Sequence, residues 1–233
     1  MLRILWRWIL KDNLLNLYNR VLKANYTTVP GSEASFHYEM EGNRLCIFFE
    51  CSNGIVDWRN NFDFPAKPYR DMENKWYVHR GFLRVWKSAR EYLRDQIFNP
   101  GVREIVIAGY SHGAALALLC HEFCVFYRPD IADNIFGYGF GCPRVVFGHL
   151  KRNICERFKQ FYVIRNCKDI VTHVPPILFG FRHVGNMIHI GKHANYGPID
   201  SHKPENYIEQ LEKMEKLPMK KQPQIQVLTC GQH

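Results

Sequence analysis

The eight cysteines, at positions 46, 51, 120, 124, 142, 155, 167 and 230, include no C-x-x-C pair. That spacing excludes the common zinc and dithiol-redox motifs. Long apolar runs are also missing. The opening MLRILWRWILKD is cut by Arg3 and Arg7, which leaves no signal-peptide core and no membrane-spanning stretch. The expectation is therefore a cytoplasmic protein with reduced thiols and neither disulfides nor a leader. Acid is in deficit: 22 Asp and Glu against 31 Lys and Arg give a formal charge of +9. Such a balance suits an anionic partner such as a phospholipid surface. The basic residues are scattered, however, and no stretch interleaves them with aromatics as a nucleic-acid module would, so no nucleic-acid partner is expected. Internal repeats and low-complexity tracts are absent.

What is present fits one globular domain. A chain of 233 residues can bury about 70% of its unfolded surface in a single core. We assign residues 1–216 to that domain and 217–233, polar and poorly patterned, to a loosely held tail. Residues 2–24 carry apolar side chains at spacings of three and four, predicting an amphipathic helix. Its broad apolar stripe suits packing on a sheet, and its Trp and Arg content leaves a membrane-lying role as the alternative. Ser35–Met40 and Arg44–Glu50 read as strands joined through Glu41-Gly42-Asn43, a hairpin. Residues 53–76 have no period but contain Trp58, Phe62, Phe64, Tyr69 and Trp76, which marks a lid or binding loop. Residues 82–97 predict a helix, 135–140 and 160–165 strands, 147–158 a helix, 181–190 a hairpin turning at Gly185-Asn186, and 204–216 a helix. Strands alternating with helices imply a mostly parallel central sheet with helices on both faces, the hairpin adding antiparallel strands at one side. The fold class is α/β.

The chain is organised around VREIVIAGYSHGAALALL at 102–119. A buried strand, Ile105–Ala108, runs into Gly109-Tyr110-Ser111-His112-Gly113, and an Ala/Leu-rich helix follows at once. This G-x-S-x-G pattern is the nucleophile elbow, a turn so sharp that a serine hydroxyl stands clear of the sheet edge. Gly109 and Gly113 allow the turn. The new helix aims its N-terminal N–H groups at the same spot, so the His112 N–H is the expected oxyanion donor.

A serine needs a histidine to take its proton, and that histidine needs a carboxylate to fix its tautomer. In elbow enzymes the chain order is Ser, acid, His. Asp169 lies just beyond the strand 160–165, on the edge that carries Ser111. Asp130 and Asp133 fall at the opposite edge, Glu156 on a helix, and Asp200 late. For the base, His173 is too close to the acid, and His183 and His189 alternate within strand-like sequence. His193 and His202 both remain, with His202 favoured because it directly precedes the last helix.

Several segments, in order, resemble the class 3, fungal-type lipase family of the α/β-hydrolase superfamily. IFFECSNGIVDW at 47–58 resembles its F-R-G-[ST] oxyanion strand and the Trp that follows. HRGF at 79–82 resembles H-x-G-F, and GYSHGAALA at 109–117 its G-H-S-x-G elbow. GCPRV at 141–145, NCKDIVTHVPP at 166–176, FRHVG at 181–185 and SHKPENY at 201–207 are similar to the remaining motifs. The resemblance implies Ser111, Asp169 and His202 as catalytic triad, Ser52 and the His112 N–H as oxyanion hole, and a lid near 53–63. Glu50-Cys51 replaces Arg-Gly, Tyr110 replaces His, and Val146 replaces Gly, as in a divergent branch. It implies a serine lipase or esterase acting on acylglycerols or related lipid esters, with no metal or cofactor. Its partners would be a lipid ester substrate and, peripherally, a membrane or lipid interface. The alternatives are phospholipase A1-type hydrolysis, acyl transfer, or non-catalytic lipid binding on the same fold.

Overall fold

The computed structural model describes residues 13–51, 66–69, 76–218, 223 and 225–228. Five helices, α1 (Leu14–Lys23), α2 (Arg80–Ile97), α3 (His112–Tyr127), α4 (Arg152–Cys155) and α5 (Pro204–Glu215), accompany twelve strands among these residues. The strands are β1 (Thr27–Thr28), β2 (Ser35–Glu41), β3 (Arg44–Phe49), β4 (Ala66–Tyr69), β5 (Trp76–His79), β6 (Glu104–Tyr110), β7 (Ile135–Phe140), β8 (Val146–Phe147), β9 (Phe161–Asn166), β10 (Phe181–Arg182), β11 (Gly185–Ile190) and β12 (Ile225–Leu228).

Eight strands form the main sheet in the order β1-β2-β3-β6-β7-β9-β11-β12. The run β3-β6-β7-β9-β11 is parallel, and β1 and β2 add antiparallel pairs beside β3. The expected architecture is thus present. Side chains alternate along each strand, and the alternation builds two cores. Leu45, Ile47, Phe49, Ile105 and Ile107 face the layer of α2 and α3. Cys46, Phe48, Val106, Ala108 and Tyr110 face the layer of α1 and α5. Helix α1 buries Leu14, Leu17, Tyr18 and Val21 in that second core, so the apolar stripe over 14–23 is a packing face. The rest of the predicted 2–24 helix lies outside the described residues. In α3 every residue from His112 to Cys124 is buried, as befits a helix enclosed on all sides. No helix among the described residues is long and apolar enough to cross a membrane.

Several expectations are corrected. Part of the region read as a lid is core: Tyr69 and Trp76 are buried, their rings 4.9 Å apart, and the Trp86 indole donates to the Tyr69 hydroxyl at 3.1 Å. They stand on β4 and β5 of a second, antiparallel sheet, ordered β10-β8-β5-β4. The remaining lid positions, 53–65 and 70–75, lie outside the described residues, as does Ser52. No hairpin forms at 181–190: β10 belongs to the small sheet and β11 to the large one. The predicted helix 147–158 is instead a strand end, a bend at Gly148 (φ +76°) and the short α4. The tail contributes β12, antiparallel to β11. Cys155 is disulfide-bonded, against the expectation of none, whereas Cys46, Cys51, Cys120, Cys124, Cys142 and Cys167 are free thiols.

Burial also fixes a pH dependence. Loss of hydration pushes the His112 imidazole down to about 4 and that of His121 to about 3. Unfolded imidazoles titrate near 6.5, so between those values the unfolded chain binds more protons. Stability present above pH 6.5 is therefore lost as the pH falls toward 4. The melting temperature is expected to be flat above that point and to drop steeply below it, and His121→Leu should flatten part of the drop in a thermal-melt series.

Candidate active site

The elbow is built as a close backbone crossing. A Cβ on Gly109 would lie 2.2 Å from the Gly113 carbonyl oxygen, and one on Gly113 2.3 Å from that of Phe49. Only glycine permits either approach. Between them Ser111 adopts φ +56°, ψ −119°, a conformation that costs of order 1–3 kcal/mol in a non-glycine residue and collects at functional sites. The strain is held by β6 and α3, with the Ser111 N–H donating to Phe140 O at 2.9 Å.

Three side chains meet there. Ser111 Oγ lies 2.8 Å from His202 Nε2, and His202 Nδ1 lies 2.9 Å from Asp169 Oδ2. Asp169 and His202 are fully buried and Ser111 nearly so. The three come from separate connections. Asp169 follows β9 through a turn in which Cys167 has φ +45°. His202 ends a 3₁₀ turn, Asp200–His202, immediately before α5. The two loops are stitched together, with Asn166 Nδ2 donating to Ser201 O at 3.0 Å and the Lys168 N–H to Ser201 Oγ at 3.3 Å.

The acid is saturated with donors. Its Oδ1 accepts the Val171 N–H at 2.9 Å, and its Oδ2 accepts the Tyr207 hydroxyl at 2.6 Å as well as the imidazole N–H. Burial, then the neighbouring carboxylate, holds the Tyr207 phenol protonated by pushing its pKa well up. Gly141, at φ +58°, backs the pair: a Cβ there would sit 2.9 Å from His202 Cε1 and 3.0 Å from Asp169 Oδ2.

The rival histidines brace the acid loop. His173 Nδ1 donates to Asp169 O at 2.8 Å while its Nε2 accepts from Arg165 at 2.7 Å. The Nε2 atoms of His183 and His189 reach Thr172 O and Cys167 O at 2.7 and 2.8 Å. His193 lines a separate cavity with Lys192 and Met214. Thus Ser111, Asp169 and His202 come together, and the other candidate histidines among the described residues, His173, His183, His189 and His193, do not join them. Ser52, the second expected oxyanion donor, lies outside the described residues.

The residue before it is informative. The Cys51 thiol is in hydrogen-bond contact with the Ser111 side chain and the His112 backbone N–H. Burial first of all raises its pKa, so it stays a neutral thiol. The His112 ring itself packs 5.5 Å from Phe82 and takes no part in the hydrogen-bonded chain from Ser111 to Asp169.

Sequence reasoning missed Tyr207, Gly141 and the grip on His202 by Tyr110. Tyr207 and Gly141 stood inside quoted motifs, SHKPENY and GCPRV, but no local pattern says what a tyrosine or glycine will face.

The chain is similar to known proteins in sequence and in fold. The profile of "Lipase (class 3)" matches residues 46–179. A lipase from Rhizomucor miehei is 30% identical over 147 residues, 60% of this chain and 40% of that protein. A secreted mono- and diacylglycerol lipase from Fusarium solani is 28% identical over 137 residues, 57% of this chain and 39% of that protein. The chain thus spans about 40% of the length of the curated relatives it matches. The crystal structure of the Rhizomucor miehei triacylglyceride lipase superposes with a TM-score of 0.63 at 22% identity, covering 73% of this chain and 67% of that one. The expectation of a cytoplasmic setting is overturned by relatives named as secreted lipases. With the matched profile covering more than half of its length, the chain belongs to the class 3 lipase family.

Proposed function

We propose that the protein is a serine carboxylic-ester hydrolase that cleaves acylglycerols or related lipid esters through an acyl-enzyme on Ser111. The observation that carries this is the hydrogen-bonded chain from Ser111 Oγ through His202 to Asp169 on a strained elbow. Ser111 Oγ attacks the acyl carbonyl while His202 Nε2 takes its proton. Asp169 holds the imidazole by Nδ1 and stabilises the imidazolium. The developing oxyanion accepts the His112 N–H, with Ser52 as its second donor. His202 then protonates the departing alcohol. Water, deprotonated by the same base, releases the acid and restores the serine.

Lipid as substrate is supported by the activities named for the relatives and by the apolar rim of the site. Ile170, next to the acid, and Ile199, before the base, are 41% and 54% exposed, and their loops are joined by Ile170 N–H to Pro198 O at 3.1 Å. Ile177, Leu178 and Phe179 are exposed as well. Apolar area of this kind on a positively charged protein suits a peripheral lipid interface, and the secreted relative suggests an extracellular one. A panel of p-nitrophenyl esters tests the reading. Hydrolysis of both short and long chains is expected, with the long chains accelerated on anionic vesicles. No ester hydrolysis would overturn it, and a short-chain preference indifferent to vesicles would remove the lipid part.

A further inference from the structure

The residue before the nucleophile is tyrosine where the resembling family has histidine, and its surroundings give that change a purpose. Tyr110 is the last residue of β6, held in register against Phe140 of β7. Its side chain turns to the α1 and α5 layer and is buried. Its hydroxyl donates to the backbone carbonyl of His202. Its ring lies face-on to the His202 imidazole, centroids 4.9 Å apart and planes 22° apart. Two further aromatics lock that ring from the edges: Tyr18 of α1 at 5.5 Å and 84°, and Tyr207 of α5 at 5.8 Å and 67°. Tyr207 is also the phenol that donates to Asp169.

We propose that Tyr110 is a positioning residue for His202. It ties the main chain of the base to the strand that carries the nucleophile and fixes the ring plane. His202 sits on a 3₁₀ turn after a long irregular connection from β11, so its loop alone does not set its place relative to Ser111. Beside the ties at Ser201 and Asp169, the sheet adds its own, through one hydroxyl and one ring face. Two consecutive residues of one strand end, Tyr110 and Ser111, thereby hold the base by its backbone and by its Nε2. A histidine at position 110 ends short of the place the phenol oxygen occupies, so this tie belongs to the present chain's variation on the motif. Because Tyr18 abuts the ring, α1 also contributes to the site, from the same face of the sheet as α5. A displacement of about 1 Å in such a constellation can cost on the order of 10²-fold in rate, which sets the scale of the effect.

The inference rests on the proposed hydrolysis, and the test separates the two. Tyr110→Phe removes only the hydroxyl, and Tyr110→Leu also removes the ring face. On a short p-nitrophenyl ester, Tyr110→Phe is expected to lower kcat about 10-fold and Tyr110→Leu about 100-fold, with KM within twofold of wild type. In proton NMR spectra the far-downfield His202 Nδ1–H resonance should be sharp in wild type, broadened in Tyr110→Phe and lost in Tyr110→Leu. Tyr110→Phe is nearly isosteric, so it keeps the test open if the leucine variant fails to fold. Wild-type kcat and an unchanged resonance in Tyr110→Phe would overturn the proposal. A wild-type protein without hydrolysis would instead overturn the proposed function, and the resonance would still report the tie.

Discussion

Replacing Ser111 with alanine is expected to lower kcat for ester hydrolysis by on the order of 10⁶-fold, the loss seen when a triad nucleophile is removed. KM for the same ester should change little, because the hydroxyl contributes to bond formation and not to holding the acyl chain. The fold should survive. Alanine removes one oxygen that hydrogen-bonds His202 Nε2 at 2.8 Å, and it relieves nothing of the backbone geometry at φ +56°, which Gly109 and Gly113 enforce from either side. Melting temperatures of the two proteins within a few degrees, beside the lost kcat, would separate loss of chemistry from loss of structure.

The second large effect is expected at the acid. Asp169→Asn should reduce kcat by roughly 10⁴-fold. The two carboxylate oxygens accept three donors: the Val171 N–H, the Tyr207 hydroxyl and His202 Nδ1–H. An amide can keep one oxygen as acceptor but must turn an NH₂ toward the other donors. If the NH₂ faces His202, Nδ1 becomes the acceptor and Nε2 carries the proton, which is the wrong tautomer for taking one from Ser111. If it faces Val171, it meets an N–H head-on in a fully buried place, where an unsatisfied donor costs about 1–3 kcal/mol. The variant should therefore lose both rate and some stability. Rate measurements in parallel with thermal melts distinguish it from Ser111→Ala, where only the rate falls.

Much of this site can be read from the chain because chemistry dictates the residue types. A serine between two glycines after a β-branched strand, an aspartate one turn past a later strand and a histidine ahead of the last helix each have a reason to be where they are. The parallel sheet follows from the same alternation. What escapes is set by contacts far apart in sequence. Gly185 resembles a hairpin turn, yet it opens β11 and lies so close to β9 that a Cβ would come 2.4 Å from Phe161 O. Phe147, Leu150, Ile154 and Phe158 repeat with helical spacing, but Gly148 at φ +76° breaks the helix. Tyr69 and Trp76 look like lid aromatics and prove to be core, because only the folded chain lays β4 and β5 beside β8 and over α2. Tyr110 and Tyr207 escape for the same reason, since their partners are 92 and 38 residues away.

Hydrolysis through an acyl-enzyme requires Ser111 to be an activated nucleophile. The most direct measurement is labelling with a fluorophosphonate, followed by peptide mass spectrometry of wild type and Ser111→Ala. One adduct on the peptide carrying Gly109–Gly113, located at Ser111 and absent from the alanine variant, is the predicted result. A wild-type protein that takes no label, or takes it on another residue, would contradict it.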